Sequence, residues 1–197
     1  MGDVGSENDG EELILANIFS RDPAVDKETW DWLLSQADGP FTDLMRSKQI
    51  FTSFEFDRKV PLMFTLNIMC TFMTGYFQRN NRVRKFLEER ASSFPERDEV
   101  ISAMNKAGAY INSMNLPDGS MWWNKANFFS LVSELSRLPE TMKQSPQDAK
   151  QKLLSFADRV PSDYALAARE AVGQKAEREL RGKVVRTLLL SRLASTK

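Results

Sequence analysis

Apolar residues recur at helical spacing along most of this chain, and no segment alternates convincingly as a strand. In "DKETWDWLLSQA", Asp26 stands as an N-cap before Trp30, Leu33, Leu34 and Ala37, which fall at i, i+3, i+4 and i+7. Asp38-Gly39-Pro40 stops that helix and starts another, whose apolar side is Phe41, Leu44 and Met45. "IFTSFEF" reads as an extended linker whose phenylalanines plug the core. Residues 60–77, "VPLMFTLNIMCTFMTGYF", carry no charge, with Pro61 in a first helical turn and Gly75 where the helix ends or bends. That run falls slightly short of the ~20 residues a bilayer needs, and it contains Asn67, three threonines and Gly75. It therefore predicts a central core helix. "RNNRVRKFLEERA" continues as a charged helix.

Over residues 96–115 a single stripe collects Val100, Met104, Ala107, Ile111 and Met114, and Leu116-Pro117-Asp118-Gly119 then suits a type I turn. In "WWNKANFFSLVSEL", residues 122–135, one face holds Phe128, Leu131, Val132 and Leu135, with Leu138 continuing it. Lys125, Ser130, Ser133, Glu134 and Arg137 fall largely elsewhere. Ser145-Pro146-Gln147-Asp148 is a helix start with a cap, a proline at N1 and an early carboxylate. A last long helix is expected from about 162 to 194. The whole pattern predicts an all-α protein: one compact domain of six to eight helices over 12–197, behind a disordered acidic tail over 1–11.

Composition narrows what such a domain can do. With 197 residues, 42% hydrophobic and 27% charged, the chain is an ordinary globular protein of one domain. Net charge is zero, but it is unevenly placed. Residues 1–60 carry 6 Lys and Arg against 13 Asp and Glu, a balance of −7; residues 168–197 carry 8 against 3, a balance of +5. Such asymmetry fits a polar partner at each end, or two ends that face each other or are simply solvated. There is no histidine and one cysteine, which removes Ser-His and Cys-His nucleophile pairs, imidazole zinc ligands and an internal disulfide. Cys70, among apolar neighbours, reads as a buried inert thiol in a reducing cytoplasm.

The N-terminus lacks the basic-then-apolar order of a signal peptide. No glycine-rich phosphate loop is present, and Glu11-Glu12 and Glu88-Glu89 read as solvated faces rather than acid/base pairs. The sequence thus nominates no catalytic, cofactor-binding or metal-binding residue, and no cofactor.

Two stretches remain as candidate contacts. The basic C-terminal segment offers Lys175, Arg178, Arg181 and Arg186 to nucleic-acid phosphates or to a protein partner. Its bland reading is a helix of structural salt bridges and solvated charge. The aromatic box at Trp122, Trp123, Phe128 and Phe129 would suit base stacking, but stacking platforms accompany a basic groove, and only Lys125 is basic nearby. Core packing is the expectation there.

The order of several segments carries a resemblance. "GPFTDLM", then "DRKVPLMFTLNIM", "WWNKANFFSLVSEL", "LLSFADRV" and "YALAAREAVGQKAERELRGKVVRTLL" resemble, over roughly 38–192, the C-terminal helical half of the GmrSD-type, ParB/sulfiredoxin-like restriction endonuclease family. The resemblance implies a scaffold of Gly39, Pro40, Phe41, Asp57, Arg58, Trp123, Asn124, Lys125, Phe128 and Phe129, with the Arg178 and Arg181 pair. The family's strand-rich half with its Asp-Gly-Gln-Gln-Arg-like nucleotide motif is missing, and so is the HNH nuclease domain, which a chain without histidine cannot form. What the resemblance implies is a non-catalytic helical module of an antiviral or modification-dependent restriction system. It would dock on a nucleotide-handling or nuclease partner and reach DNA. The alternative is a stand-alone helical interaction or regulatory protein.

Overall fold

The computed structural model describes residues 40–190, apart from 59, 91 and 92. The expected acidic tail, the helix capped by Asp26, and Gly39 lie outside the described residues, as do 191–197. Among the described residues no strand forms, and nine α-helices, several of them short, make one all-α body with two 3-10 turns and an isolated antiparallel bridge between Lys143 and Leu190. The helices are α1 (Pro40–Ser47), α2 (Ser53–Asp57), α3 (Val60–Thr74), α4 (Val83–Glu89), α5 (Arg97–Met114), α6 (Lys125–Arg137), α7 (Pro146–Ala157), α8 (Ser162–Ala167) and α9 (Lys175–Leu189).

Helix α6 is the axis. It packs on α9, α5 and α3 and on the 3-10 turn Met121–Trp123; α7 bridges α5 and α9, α8 lies on α9, and α2 and α4 flank α3. Phe128, Leu131 and Leu135 are fully buried, as their spacing predicts, and each such side chain removed from water contributes roughly 1.5–3 kcal/mol. The α5 stripe is also as expected, with Val100, Met104, Ala107, Ile111 and Met114 all buried. Its C-cap is Asn115 in the left-handed region (φ 47°), a conformation in which asparagine is second to glycine.

Helix α3 is buried almost throughout, from Pro61 to Thr71 with Phe64 half-buried. Its hydroxyls are satisfied within the helix, Thr65 donating to Pro61 O (2.9 Å), Thr71 to Asn67 O (2.8 Å) and Thr74 to Cys70 O (2.9 Å), while Asn67 donates both to Met63 O (2.9 Å) and out of the helix to Asn80 Oδ1 (2.8 Å). Gly75 follows at φ 81° and ends it. Among the described residues no helix is long and apolar enough to cross a membrane. Cys70 is buried, and burial raises its thiol pKa.

Four local expectations change. Residues 53–57 are helical, not extended, because Thr52 and Glu55 form a reciprocal capping box; Phe51 does plug the core, but Phe54 stays exposed. The turn after α5 is shifted by one residue, closing from Ser120 N to Pro117 O (3.2 Å) with Gly119 at φ 78°. The charged helix after Gly75 is confined to α4. The long last helix is two, α8 and α9, broken where Ala171 adopts φ 48° and Gln174 N donates to Ala171 O (2.8 Å).

Candidate functional site

The aromatic box is built by two caps. Ser120 accepts from Trp122 N (3.4 Å) to start the 3-10 turn, and Asn124 accepts from Asn127 N (2.8 Å) to start α6. Trp122 is fully buried, donates through Nε1 to Leu153 O (3.0 Å), and meets Tyr164 edge-on and Phe156 at a tilt. Trp123 donates to Pro117 O (2.9 Å), with Lys48 Nζ 5.3 Å from its ring centroid. Phe128 stacks on Phe64 (6.1 Å, 12° between planes), and Phe129 meets Phe64 edge-on at 5.7 Å. These rings are core, and a base would have to displace protein to reach them.

Lys125, by contrast, is exposed, pairs with Glu55 and lies 5.0 Å from the Phe51 ring centroid. Burial works to raise the Glu55 pKa, but hydrogen bonds from Lys125 and Thr52 outweigh it and hold the carboxyl below its usual range. Of the other scaffold positions, Pro40 and Phe41 begin α1, Asp57 is exposed at the end of α2, and Arg58 lies 4.4 Å from the Phe54 centroid.

The basic segment divides in two. Arg178 and Arg181 are 8% and 1% exposed. The Arg178 guanidinium donates to Phe77 O (3.2 Å), Arg79 O (3.1 Å) and Asn67 Oδ1 (3.4 Å), between the rings of Phe77 and Phe129. Arg181 donates to Ser130 Oγ (3.2 Å), Val172 O (2.8 Å) and Ala167 O. All these acceptors are neutral. Burial lowers the Arg178 pKa to about 10, so it remains charged at neutral pH, and burial lowers the Arg181 pKa as well. Their forks are spent on carbonyls that no helix or sheet satisfies.

The other two candidates face outward. Lys175 is exposed, 3.6 Å from Glu179, and Arg186 is partly exposed, with Nε 2.7 Å from Glu134 Oε2. The four residues are therefore not one surface.

Glu134 is the main correction to the sequence reading. Its spacing places it away from the apolar face, yet it is buried, along with Ser130 and Ser133. It accepts from Tyr76 Oη (2.8 Å) and Arg186 Nε (2.7 Å), with Arg137 Nη1 at 3.6 Å. Burial, then the Glu134 charge, raises the Tyr76 pKa. Gly182 makes room for this contact: a Cβ there would fall 2.6 Å from Tyr76 Cε2 and Cζ.

Sequence reasoning missed Tyr76, Glu134 and Asn67 as network members. One signal was present. Arg178, Arg181, Val185 and Leu189 fall at i, i+3, i+7 and i+11, so the two arginines occupy places in an apolar stripe. Among the described residues, no three His, Cys, Asp or Glu side chains group as metal ligands. No protein-family model, curated protein or solved structure matches the chain.

Proposed function

We propose that the chain is a non-catalytic helical module of an antiviral or modification-dependent restriction system, docking in the cytoplasm on a nucleotide-handling or nuclease partner and reaching DNA through exposed basic residues. One observation carries this reading. Segments far apart in sequence that bear the family resemblance meet at one interface: Arg178 lies over the Phe129 ring at 4.8 Å, and Arg181 donates to Ser130. An interface made of those segments is what a shared scaffold would produce. The exposed Phe54, Leu166 and Val172 offer apolar contact points for a protein partner. They fit the alternative, a stand-alone helical interaction or regulatory protein, equally well.

The two readings separate on the neighbouring reading frames. If an adjacent frame encodes an Asp-Gly-Gln-Gln-Arg domain, co-expression should yield a stable complex on size-exclusion chromatography. A chain that elutes alone in the presence of that domain, or a locus without one, overturns the module reading in favour of the alternative.

A further inference from the structure

Two loops meet beside the N-terminal end of α9. Arg79 N donates to Gly173 O (2.7 Å), Lys175 N donates to Gln78 Oε1 (3.2 Å), and the Gln78 and Gln174 side chains bond to each other. From beneath, Arg178 holds Arg79 O and Arg181 holds Val172 O. The buried arginines thus fix a corner whose outer surface is also basic. Residues 78–87 contain Arg79, Arg82, Arg84 and Lys85 and no acidic residue. Arg79 and Arg82 are exposed and enter no ion pair among the described residues. Lys85, Arg169 and Lys175 are exposed too, each with a carboxylate at 3.6 Å (Glu89, Glu170 and Glu179). Solvated pairs of that length are worth little and are readily exchanged for another anion.

We propose that this corner is a contact surface for the phosphate backbone of a nucleic-acid duplex. Phosphate contacts draw on cationic side chains and side-chain amides, which is what the corner offers through Arg79, Arg82, Lys175 and the exposed side-chain amide of Asn81. A protein hot spot needs a large aromatic or arginine anchor in a buried pocket; in the 78–87 loop and helix Val83, Phe86 and Leu87 are all turned inward, and the 172–175 loop exposes Val172 but no aromatic ring. The corner is held by hydrogen bonds on both sides, so little ordering is left to oppose binding. Arg178 and Arg181 then serve DNA only by shaping the corner. The inference rests on the DNA contact of the function proposed above and not on its protein partner, so either can fail alone.

The test is binding of the full chain to a short random-sequence DNA duplex, followed by fluorescence anisotropy across a salt series. Wild type should bind with an affinity that falls steeply with salt. Arg79→Gln with Arg82→Gln should weaken binding and flatten the log–log salt slope by about 0.9 for each phosphate no longer neutralised. A charge-matched control on α5 and α7, Lys106→Gln with Lys150→Gln, should change the slope far less. Melting temperatures of both doubles should stay at the wild-type value, since Arg79 and Arg82 are exposed and Lys106 and Lys150 lie outside the core. A wild-type chain that does not bind the duplex at low salt overturns the proposal. So does a corner double that binds like wild type, or a control double that weakens binding as much.

Discussion

Helices α3 and α9 are each 15 residues long and lean on the same partner, α6, yet they are held by opposite chemistry. Helix α3 is uncharged, and its threonines return their hydrogen bonds to carbonyls of its own preceding turn, with Asn67 alone among these polar side chains bonding outside the helix as well. Helix α9 buries only Arg178, Arg181, Gly182, Val185 and Leu189, and its two arginines spend their hydrogen bonds on other elements. The first is secured by transfer of apolar surface, which is non-directional and tolerant of small shifts. The second is secured by directed bonds that also complete the backbone of two loops. A helix that reads as a surface for phosphates can therefore be a fastening, with the binding surface made by what it fastens.

The largest expected effect lies on the apolar side. Phe128→Ala removes a fully buried ring and its stack on Phe64, and should cost about 3–5 kcal/mol in chemical denaturation. On the polar side, Arg181→Leu strands the carbonyls of Ala167 and Val172, and about 1–3 kcal/mol is expected for each acceptor left buried without a donor. Arg181→Lys should rescue little, because one ammonium cannot reproduce the fork. If Lys restored full stability, the charge rather than the bond geometry would be holding α9, and the contrast with α3 would dissolve.

Gly182→Ala probes the same fastening from the steric side. The methyl group must push Tyr76 from Glu134, a cost of about 1–3 kcal/mol with loss of the buried tyrosine signature in near-ultraviolet absorbance. Thr52→Ala, which removes only the cap of the short α2 helix, should cost about 1 kcal/mol by thermal melting.

Titration sharpens the comparison without a mutation, and at neutral pH its effect is nil. Tyr110 is pushed up to about 12 by burial and by the charges of Glu140 and Asp148, and the pKa values of Tyr76 and Tyr164 are raised as well. A raised pKa means the fold holds a proton that the unfolded chain gives up above about pH 10. Stability from these tyrosines is fully present below that pH and is lost as pH climbs through the folded values. Tyrosinate absorbance should lag the expectation for free tyrosine and then rise together with unfolding. A simple titration near pH 10, with the fold intact, would place all three phenols in water.

Most of the helical framework was legible, because periodicity reports which face meets a core and caps report where a turn begins. Val100 to Met114, the Ser145 cap and the inward Phe128, Leu131 and Leu135 all rest on local spacing. The break between α8 and α9 was not, since it depends on Arg181 reaching back 14 and 9 residues to the carbonyls of Ala167 and Val172, further than helical spacing registers. Nor was the burial of Glu134, since its acceptor role depends on Tyr76 and Arg186, 58 and 52 residues away. Composition carries charge but not its counter-group. Arg178 and Arg181 therefore counted toward a basic surface, while Arg79 and Arg82 passed unnoticed inside a helix expected to be merely charged.

Asn67 is the place where the two chemistries touch. Its Nδ2 donates along α3 to Met63 O and across to Asn80 Oδ1 (2.8 Å), which leaves Oδ1 as the acceptor for Arg178. One amide is thereby read from both ends, and only one orientation of it satisfies every neighbour. The junction works like a key cut for a single angle. Advancing α9 by one residue would swing the Arg178 side chain through about 100° and away from the amide. Apolar packing alone tolerates neighbouring registers, whereas this contact admits one, so a single neutral side chain joins the Arg181 and Arg186 contacts in setting the register of a helix 111 residues further along the chain.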